Sequence, residues 1–230
     1  MNHWKFSVVV AVKNEAQNIG ILVDKLLAIF KERKEKGEIM ELIIVDDDST
    51  DGTTKIVDQR KSFFTEAGFE LKTVLRIGHN GTVGAQIEGS RYSESEFVII
   101  MDGDLQHDPS LVPLMMDLVD ENVDLIVASR FVNGGGQNLD LQRSIISKIA
   151  RLMALIFIKN SRVCSDPLSG FFLCRRNLIS KLDITENGFK LLLYVLATNK
   201  DLRIVEIPFV MGERKHGESK LTRSLKKLVF

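Results

Sequence analysis

With two cysteines and four prolines in 230 residues, the chain has little material for staples or rigid turns. Cys164 and Cys174 make neither a disulfide framework nor a zinc cluster, and they point to a reducing compartment. No apolar run approaches the roughly 20 residues of a membrane-spanning helix. Met1–Phe6 is too short and polar for a signal peptide. Net charge is absent as well, with 31 basic residues against 31 acidic ones. That balance, and a basic half without interleaved aromatics, disfavours a nucleic-acid binder. An apolar fraction of 44% excludes disorder, and there is no internal repeat.

The charges that are present are unevenly spread. Met1–Arg130 carries 14 basic and 23 acidic residues, net −9, whereas Phe131–Phe230 carries 17 basic and 8 acidic, net +9. An acidic half suits a cation, and a basic half suits phosphates or an anionic membrane surface. Short Val- and Ile-rich runs at Phe6–Val12, Leu42–Val45, Leu71–Leu75, Phe97–Met101 and Leu125–Ala128 read as strands covered on both faces. Helical spacing fills the gaps at Ile19–Glu35, Thr53–Ala67, Thr82–Ser93 and Leu111–Val119. The alternation predicts an α/β fold with a doubly wound, mostly parallel sheet. After Arg130 the rhythm changes. Asn133–Gly136 reads as a flexible junction, Leu141–Lys159 and Phe189–Asn199 as helices, and Phe171–Cys174 and Arg203–Val210 as strands. The tail Leu221–Phe230 is short, basic and amphipathic. Residues 1–230 are expected to form one domain, whose second half, 131–230, is an elaborated edge on the first, 1–130.

Four segments could carry chemistry. In Val45–Gly52, Asp46, Asp47, Asp48 and Asp51 follow an apolar strand, at the end where ligands bind in open α/β sheets. A strand-to-helix turn needs one N-cap, so four acids in six positions favour a functional loop. A second strand ends in Asp102-Gly103-Asp104-Leu105-Gln106-His107. Two carboxylates one residue apart, with Gln106 beyond, suit a hard divalent cation that completes its shell from substrate phosphates. His107, without partners, reads as a loop residue. Gly78–Ala85 precedes a helix but has neither the dinucleotide nor the P-loop spacing, so an ordinary loop is the better reading. Glu213–Leu221, with three cationic side chains, fits a solvated loop and a pyrophosphate clasp equally.

At these segments the sequence resembles the family 2 glycosyltransferases, and within them the dolichol-phosphate (polyprenyl-phosphate) mannosyltransferases. The matching stretches include Val8–Asn18, Ile44–Gly52, Gly81–Gly89, Met101–Pro109, Ala128–Gly135, Arg143–Ser147, Asp166–Arg175, Gly188–Lys190 and Arg214–Leu221. The resemblance implies a nucleotide-sugar-binding fold of GT-A type, a nucleotide-sugar donor such as GDP-mannose, Mg²⁺ or Mn²⁺, and a polyprenyl or dolichyl phosphate acceptor. It implies further that Ala11, Val12, Asn14, Glu15, Asp46, Asp48, Asp102, Gly103, Asp104 and Lys220 contact the donor. Asp102, Asp104 and Gln106 would hold the metal, and Arg130, Arg143 and Ser147 the acceptor phosphate. Asp104, Arg130 and Arg214 would serve the reaction itself. The chain departs from the family pattern at Ala11, Lys13 and Asp48, which bear on donor selectivity, and at Leu139 and Tyr194, which bear on the acceptor.

The implied reaction is inverting hexose transfer to a phosphate oxygen that is already anionic, so no catalytic base is required. Asp104 is the nearest candidate for one. The pattern of Leu141–Lys159 alone fits a core-packing helix as well as an interfacial one; a lipid acceptor tips it towards peripheral attachment at the cytoplasmic face of a membrane. Glucosyl transfer from UDP-glucose is an alternative within enzymes. A catalytically silent membrane-binding module is the alternative outside them, and the intact Asp102, Asp104, Gln106 and Arg214 argue against it.

Overall fold

A computed structural model of the chain describes residues 5–79, 81–137, 149, 151–154, 156, 163–183 and 190–212. The strands are β1 (Phe6–Val12), β2 (Met40–Asp46), β3 (Glu70–Leu75), β4 (Phe97–Asp102), β5 (Leu125–Ser129), β6 (Gly136–Gln137), β7 (Phe172–Arg175), β8 (Ile204–Pro208) and β9 (Val210–Met211). The helices are α1 (Ala16–Glu35), α2 (Thr53–Asp58), α3 (Lys61–Ala67), α4 (Thr82–Tyr92), α5 (Val112–Asp117), α6 (Asn177–Ser180) and α7 (Leu191–Thr198), with a 3₁₀ turn at Pro109–Leu111.

One seven-stranded sheet runs in the order β3-β2-β1-β4-β7-β5-β8. Pairing is parallel between β1, β2, β3 and β4 and between β5 and β8; β7 lies antiparallel between β4 and β5. The sheet is therefore mostly parallel and has a reversed insert. Every residue of β1, β2 and β5 is buried, as unbroken apolar runs require when both faces are covered. One face packs on α1, Phe64 of α3 and α5; the other packs on α4, α6 and α7. Contact with α4 is close. A Cβ at Gly89 would lie 2.5 Å from Val9 Cγ1 and 2.8 Å from Val45 Cγ2.

Five expectations are refined. β3 is only partly buried, with Leu71 and Val74 covered and Leu75 exposed, because it is the sheet edge. The stretch 53–67 breaks into α2 and α3 around Gln59 and Arg60. Pro109 and Pro113 set a 3₁₀ turn ahead of α5. The junction after Arg130 is ordered by hydrogen bonds: Gly135 N–H donates to the Val132 carbonyl, and Gly136 N–H to that of Phe209. β6 then pairs in parallel with β9, so the expected strand 203–210 divides at Phe209 between two sheets.

Buried polar groups pin the end of the sheet away from the acidic loops. The fully buried Glu41 carboxylate accepts from the Ser7 hydroxyl, from Lys72 Nζ at 2.9 Å and from the Glu94 N–H at 3.0 Å. At the same end Asp124, just before β5, accepts from Arg203 Nε at 3.1 Å and Arg175 Nε at 3.2 Å, which ties β5, β7 and β8 together.

The Arg203 hydrogen bonds outweigh burial and, with Arg175, hold the Asp124 carboxyl at about 2. An unfolded aspartate titrates near 3.9, so this stabilisation is complete above about pH 4 and is lost as pH falls towards 2. Asp124→Asn should cost about 1 kcal/mol at pH 7, because solvent screens the half-exposed Arg203. The deficit should vanish near pH 2 in urea titrations. A loss of equal size at both pH values would rule out the ionisation as its source.

Candidate active site

Pairing register brings the acidic loops together. In β1, Val12 stands opposite Asp46 and Ala11 opposite Asp102, so the carboxyl ends of β2 and β4 flank the last two residues of the central strand. Ligands of open α/β sheets lie at this edge, where strand order reverses.

Most of the first acidic cluster is engaged in holding its own loops. Asp46 accepts from the Ser49 N–H at 2.8 Å and from the Thr54 hydroxyl. Asp47 is buried. Its Oδ1 meets Arg76 Nη1 at 2.5 Å and its Oδ2 accepts from the Gly81 N–H at 2.6 Å, while Arg76 Nε reaches Glu88 at 2.9 Å. Asp51 accepts from the Ala16 N–H at 2.9 Å and the Thr53 N–H at 3.0 Å, so it caps the remote helix α1 as well as its own turn. Burial pushes the Asp51 carboxyl up, but the hydrogen bonds from Thr53 and Ala16 outweigh it and hold it below the usual range. Asp48 is exposed, at φ +64°. The β1 loop interlocks with the same segment. Asn14, at φ +56°, donates its N–H to Ser49 Oγ at 2.8 Å and accepts from the Thr50 N–H at 2.9 Å. Glu15 donates its N–H to Thr53 Oγ1 at 2.9 Å, and its carboxylate accepts from Asn18 Nδ2 at 2.7 Å.

The turn after β4 is tight. A Cβ at Gly103 would lie 2.5 Å from Val12 Cγ1, and Leu105 adopts φ +63°. Asp102 is 31% exposed in its side chain, and Asp104 and Gln106 are half-buried. Gln106 Nε2 donates to the Gly212 carbonyl at 3.0 Å, and the Gly212 N–H returns a bond to the Gln106 carbonyl at 3.1 Å. His107 is not a solvated loop residue. It is buried, and its Nδ1 accepts from the Asp102 N–H at 2.9 Å. Burial pushes its imidazole below the usual range, against the pull of the Asp102 and Asp104 charges. Its Nε2 stands 3.8 Å from Asp102 Oδ2.

Asp102, Asp104 and Gln106 fit Mg²⁺ or Mn²⁺ in the chemistry of their oxygens and in being partly open to solvent. Among the described residues no third His, Cys, Asp or Glu joins them in a closed cage. A cation here would depend on substrate phosphates and water for the rest of its shell.

Arg130, just after β5, forks onto buried Asp166, with Nε to Oδ2 at 2.7 Å and Nη2 to Oδ1 at 2.8 Å. Its guanidinium also stands 5.5 Å from the Phe131 ring, and that of Arg151 stands 4.5 Å from the same ring. Ile149, Leu152, Met153 and Ile156 follow helical spacing, and each is more than half exposed. No helix among the described residues is long and apolar enough to cross a membrane. Arg143, Ser147, Arg214, Lys220 and the tail Leu221–Phe230 lie outside the described residues, as does most of Leu141–Lys159. Sequence reasoning missed the Arg76–Asp47 and Arg130–Asp166 pairs. Nothing local announces the first; the second joins two stretches that had been noticed separately.

Residues 7–183 match the glycosyl transferase family 2 profile, and the chain belongs to that family. It is 32% identical over 218 residues to a dolichol-phosphate mannosyltransferase of Pyrococcus furiosus, covering 94% of this chain and 59% of that protein. It is 32% identical to the dolichol-phosphate mannosyltransferase of Saccharomyces cerevisiae, covering 95% of this chain and 81% of the relative. Thus the chain spans less than two thirds of the archaeal relative and about four fifths of the yeast one. In fold it is similar to the mannosyltransferase PcManGT of Pyrobaculum calidifontis, solved with GDP-Man and Mn²⁺, at a TM-score of 0.61 and 18% identity, over 99% of this chain and 61% of the other. A glucosyl-3-phosphoglycerate synthase of Mycobacterium tuberculosis, solved with Mn²⁺ and UDP-glucose, gives a TM-score of 0.64 at 18% identity, over 98% and 77%. The fold is that of GT-A glycosyltransferases, and the chain is a glycosyltransferase.

The Arg76–Asp47 pair yields a stability test. Both side chains are 4% exposed. Removing one partner leaves a buried charge unmatched, which typically costs about 3–5 kcal/mol. Arg76→Met should lose stability on that scale in urea denaturation, and adding Asp47→Asn should recover part of it. A loss under about 1 kcal/mol would mean that water reaches the pair.

Proposed function

We propose that this glycosyltransferase moves a mannosyl group from GDP-mannose to a polyprenyl or dolichyl phosphate, with inversion at the anomeric carbon. The observation that carries the reading is the Asp102-Gly103-Asp104 turn beside the carboxyl end of β1, in a chain whose relatives at 32% identity are named dolichol-phosphate mannosyltransferases. Asp102, Asp104 and the Gln106 amide oxygen would hold Mg²⁺ or Mn²⁺, which when bound neutralises charge developing on the leaving diphosphate.

The remaining tasks fall to the chain's own groups. Ala11, Val12, Asn14 and Glu15 form one wall of the donor pocket, and Asp46 and exposed Asp48 face it from the next strand. Interlocked loops keep that wall in place before the donor arrives, so less ordering is required on binding. The acceptor phosphate is an anion and needs orientation rather than deprotonation. Arg143, Ser147, Arg214 and Lys220 are assigned to handling phosphates by family likeness. Arg130 is assigned to the acceptor phosphate with them, its fork to Asp166 fixing where its own charge lies. The relatives' names favour mannose over the UDP-glucose alternative, and the carboxylate turn speaks against a silent module.

The exposed apolar row at Ile149, Leu152, Met153 and Ile156 supports peripheral attachment to a membrane. A helix that packed these residues into the core would have buried them.

Two measurements test the reading. Radiolabelled GDP-mannose with polyprenyl phosphate should give lipid-soluble label. Asp104→Asn should cut turnover about a hundredfold or more while the protein stays folded; undiminished transfer in that variant, or in excess chelator, would refute the assignment. The protein should also co-sediment with anionic vesicles at low salt and detach as ionic strength approaches physiological, where the screening length falls to about 8 Å. Absence of binding at low salt would refute the membrane contact.

A further inference from the structure

We infer that His107 is a positioning residue for the metal-binding turn, acting on Asp102 through its main chain and its side chain at once. This rests on the metal reading of Asp102 and Asp104 above. Three observations converge on it. First, a backbone N–H can only donate, so the 2.9 Å bond from Asp102 N–H fixes His107 Nδ1 as an acceptor and places the ring's proton on Nε2. Nε2 stands 3.8 Å from Asp102 Oδ2, too far for a hydrogen bond but near enough for the ring's dipole to act on the carboxylate.

Second, the ring has little freedom to turn. It stacks on Phe171 with centroids 5.2 Å apart and planes 18° from parallel, and the Phe209 ring meets it edge-on at 5.6 Å. Phe171 and Phe209 meet each other at 5.8 Å, so three rings form one closed cluster. Phe209 is also the point where the chain passes from the main sheet to β9, which clasps Gln106 through Gly212. The ring that meets His107 edge-on and the residue that clasps Gln106 thus come from one short stretch of chain.

Third, the neighbouring chain has been kept clear. A Cβ at Gly170 would lie 3.1 Å from His107 Cε1 and 3.3 Å from Asp102 Oδ2. One methyl group there would press on the imidazole and the carboxylate together.

A purely structural role would require the stacking but not the acceptor nitrogen, and substitution can separate the two. His107→Phe keeps an aromatic ring on Phe171 and removes the acceptor. His107→Asn keeps an acceptor at about the reach of Nδ1 and loses the ring. Mn²⁺ affinity is to be measured by titration calorimetry or electron paramagnetic resonance on the full chain with saturating GDP, alongside melting temperature and turnover against Mn²⁺ concentration. His107→Phe should bind Mn²⁺ about tenfold or more weakly, the scale typical of losing a group that orients a metal ligand, and should melt only a few degrees lower for the acceptor that the Asp102 N–H loses. Its turnover should recover at high Mn²⁺. His107→Asn should melt at lower temperature yet keep its Mn²⁺ affinity within about threefold of wild type.

Equal affinities of wild type and His107→Phe would overturn the assignment while leaving the metal site intact. If His107→Phe does not fold, His107→Asn decides the matter, since lost affinity despite a retained acceptor overturns it equally. Failure of the wild type itself to bind Mn²⁺ with GDP would overturn the metal reading, and the role of His107 with it.

Discussion

Parallel pairing of β1 with strands on both its sides is the constraint from which the site follows. Because β1 is buried along its length, its register to β2 and to β4 is set by the need to keep apolar side chains covered. Once Val12 is opposite Asp46 and Ala11 opposite Asp102, two acidic loops must emerge on either side of one strand end. The close fit of Gly103 against Val12 and of Gly89 against Val9 and Val45 shows how little clearance remains around that strand. A slip by one residue would exchange the side chains packed on the two faces, break these close fits and separate the carboxylates.

The acids so gathered divide into two kinds. Asp46, Asp47 and Asp51 are engaged by Ser49, Thr54, Arg76, Gly81, Ala16 and Thr53, and they hold the loops in shape. Asp48, Asp102 and Asp104 keep part of their surface towards solvent. The first group makes the second usable, since a carboxylate on a loose loop would have to be ordered each time a ligand arrived. Asn14, Asp48 and Leu105 adopt left-handed backbone on the three loops concerned, a cost that only a surrounding network of this kind sustains.

Much of this was legible in the sequence. The unbroken apolar runs marked the buried strands because two-sided burial leaves no room for alternation, and the acidic clusters were conspicuous because each sits where such a run stops. What was not legible depends on distance along the chain. Arg76 and Asp47 lie 29 residues apart, and Arg130 and Asp166 lie 36 apart, with no local pattern to couple them. His107 lies in a loop, as its surroundings in the sequence suggest, but its burial was not legible, because its partners Phe171 and Phe209 come from the far end of the chain. The glycines after Arg130 suggested flexibility, which their hydrogen bonds to Val132 and Phe209 remove.

The reversed strand β7 has a consequence in time. β5 pairs only with β7 and β8, and both are made after it. On a ribosome β5 would emerge with no neighbour, and it would wait roughly 45 residues for the first and about 80 for the second, several seconds at ordinary synthesis rates. β1, β2, β3 and β4 pair among themselves and have no such delay. The layer that carries the acidic loops can therefore be in place while an apolar strand is still unpaired beside it, and that interval is when a chaperone would have most to shield.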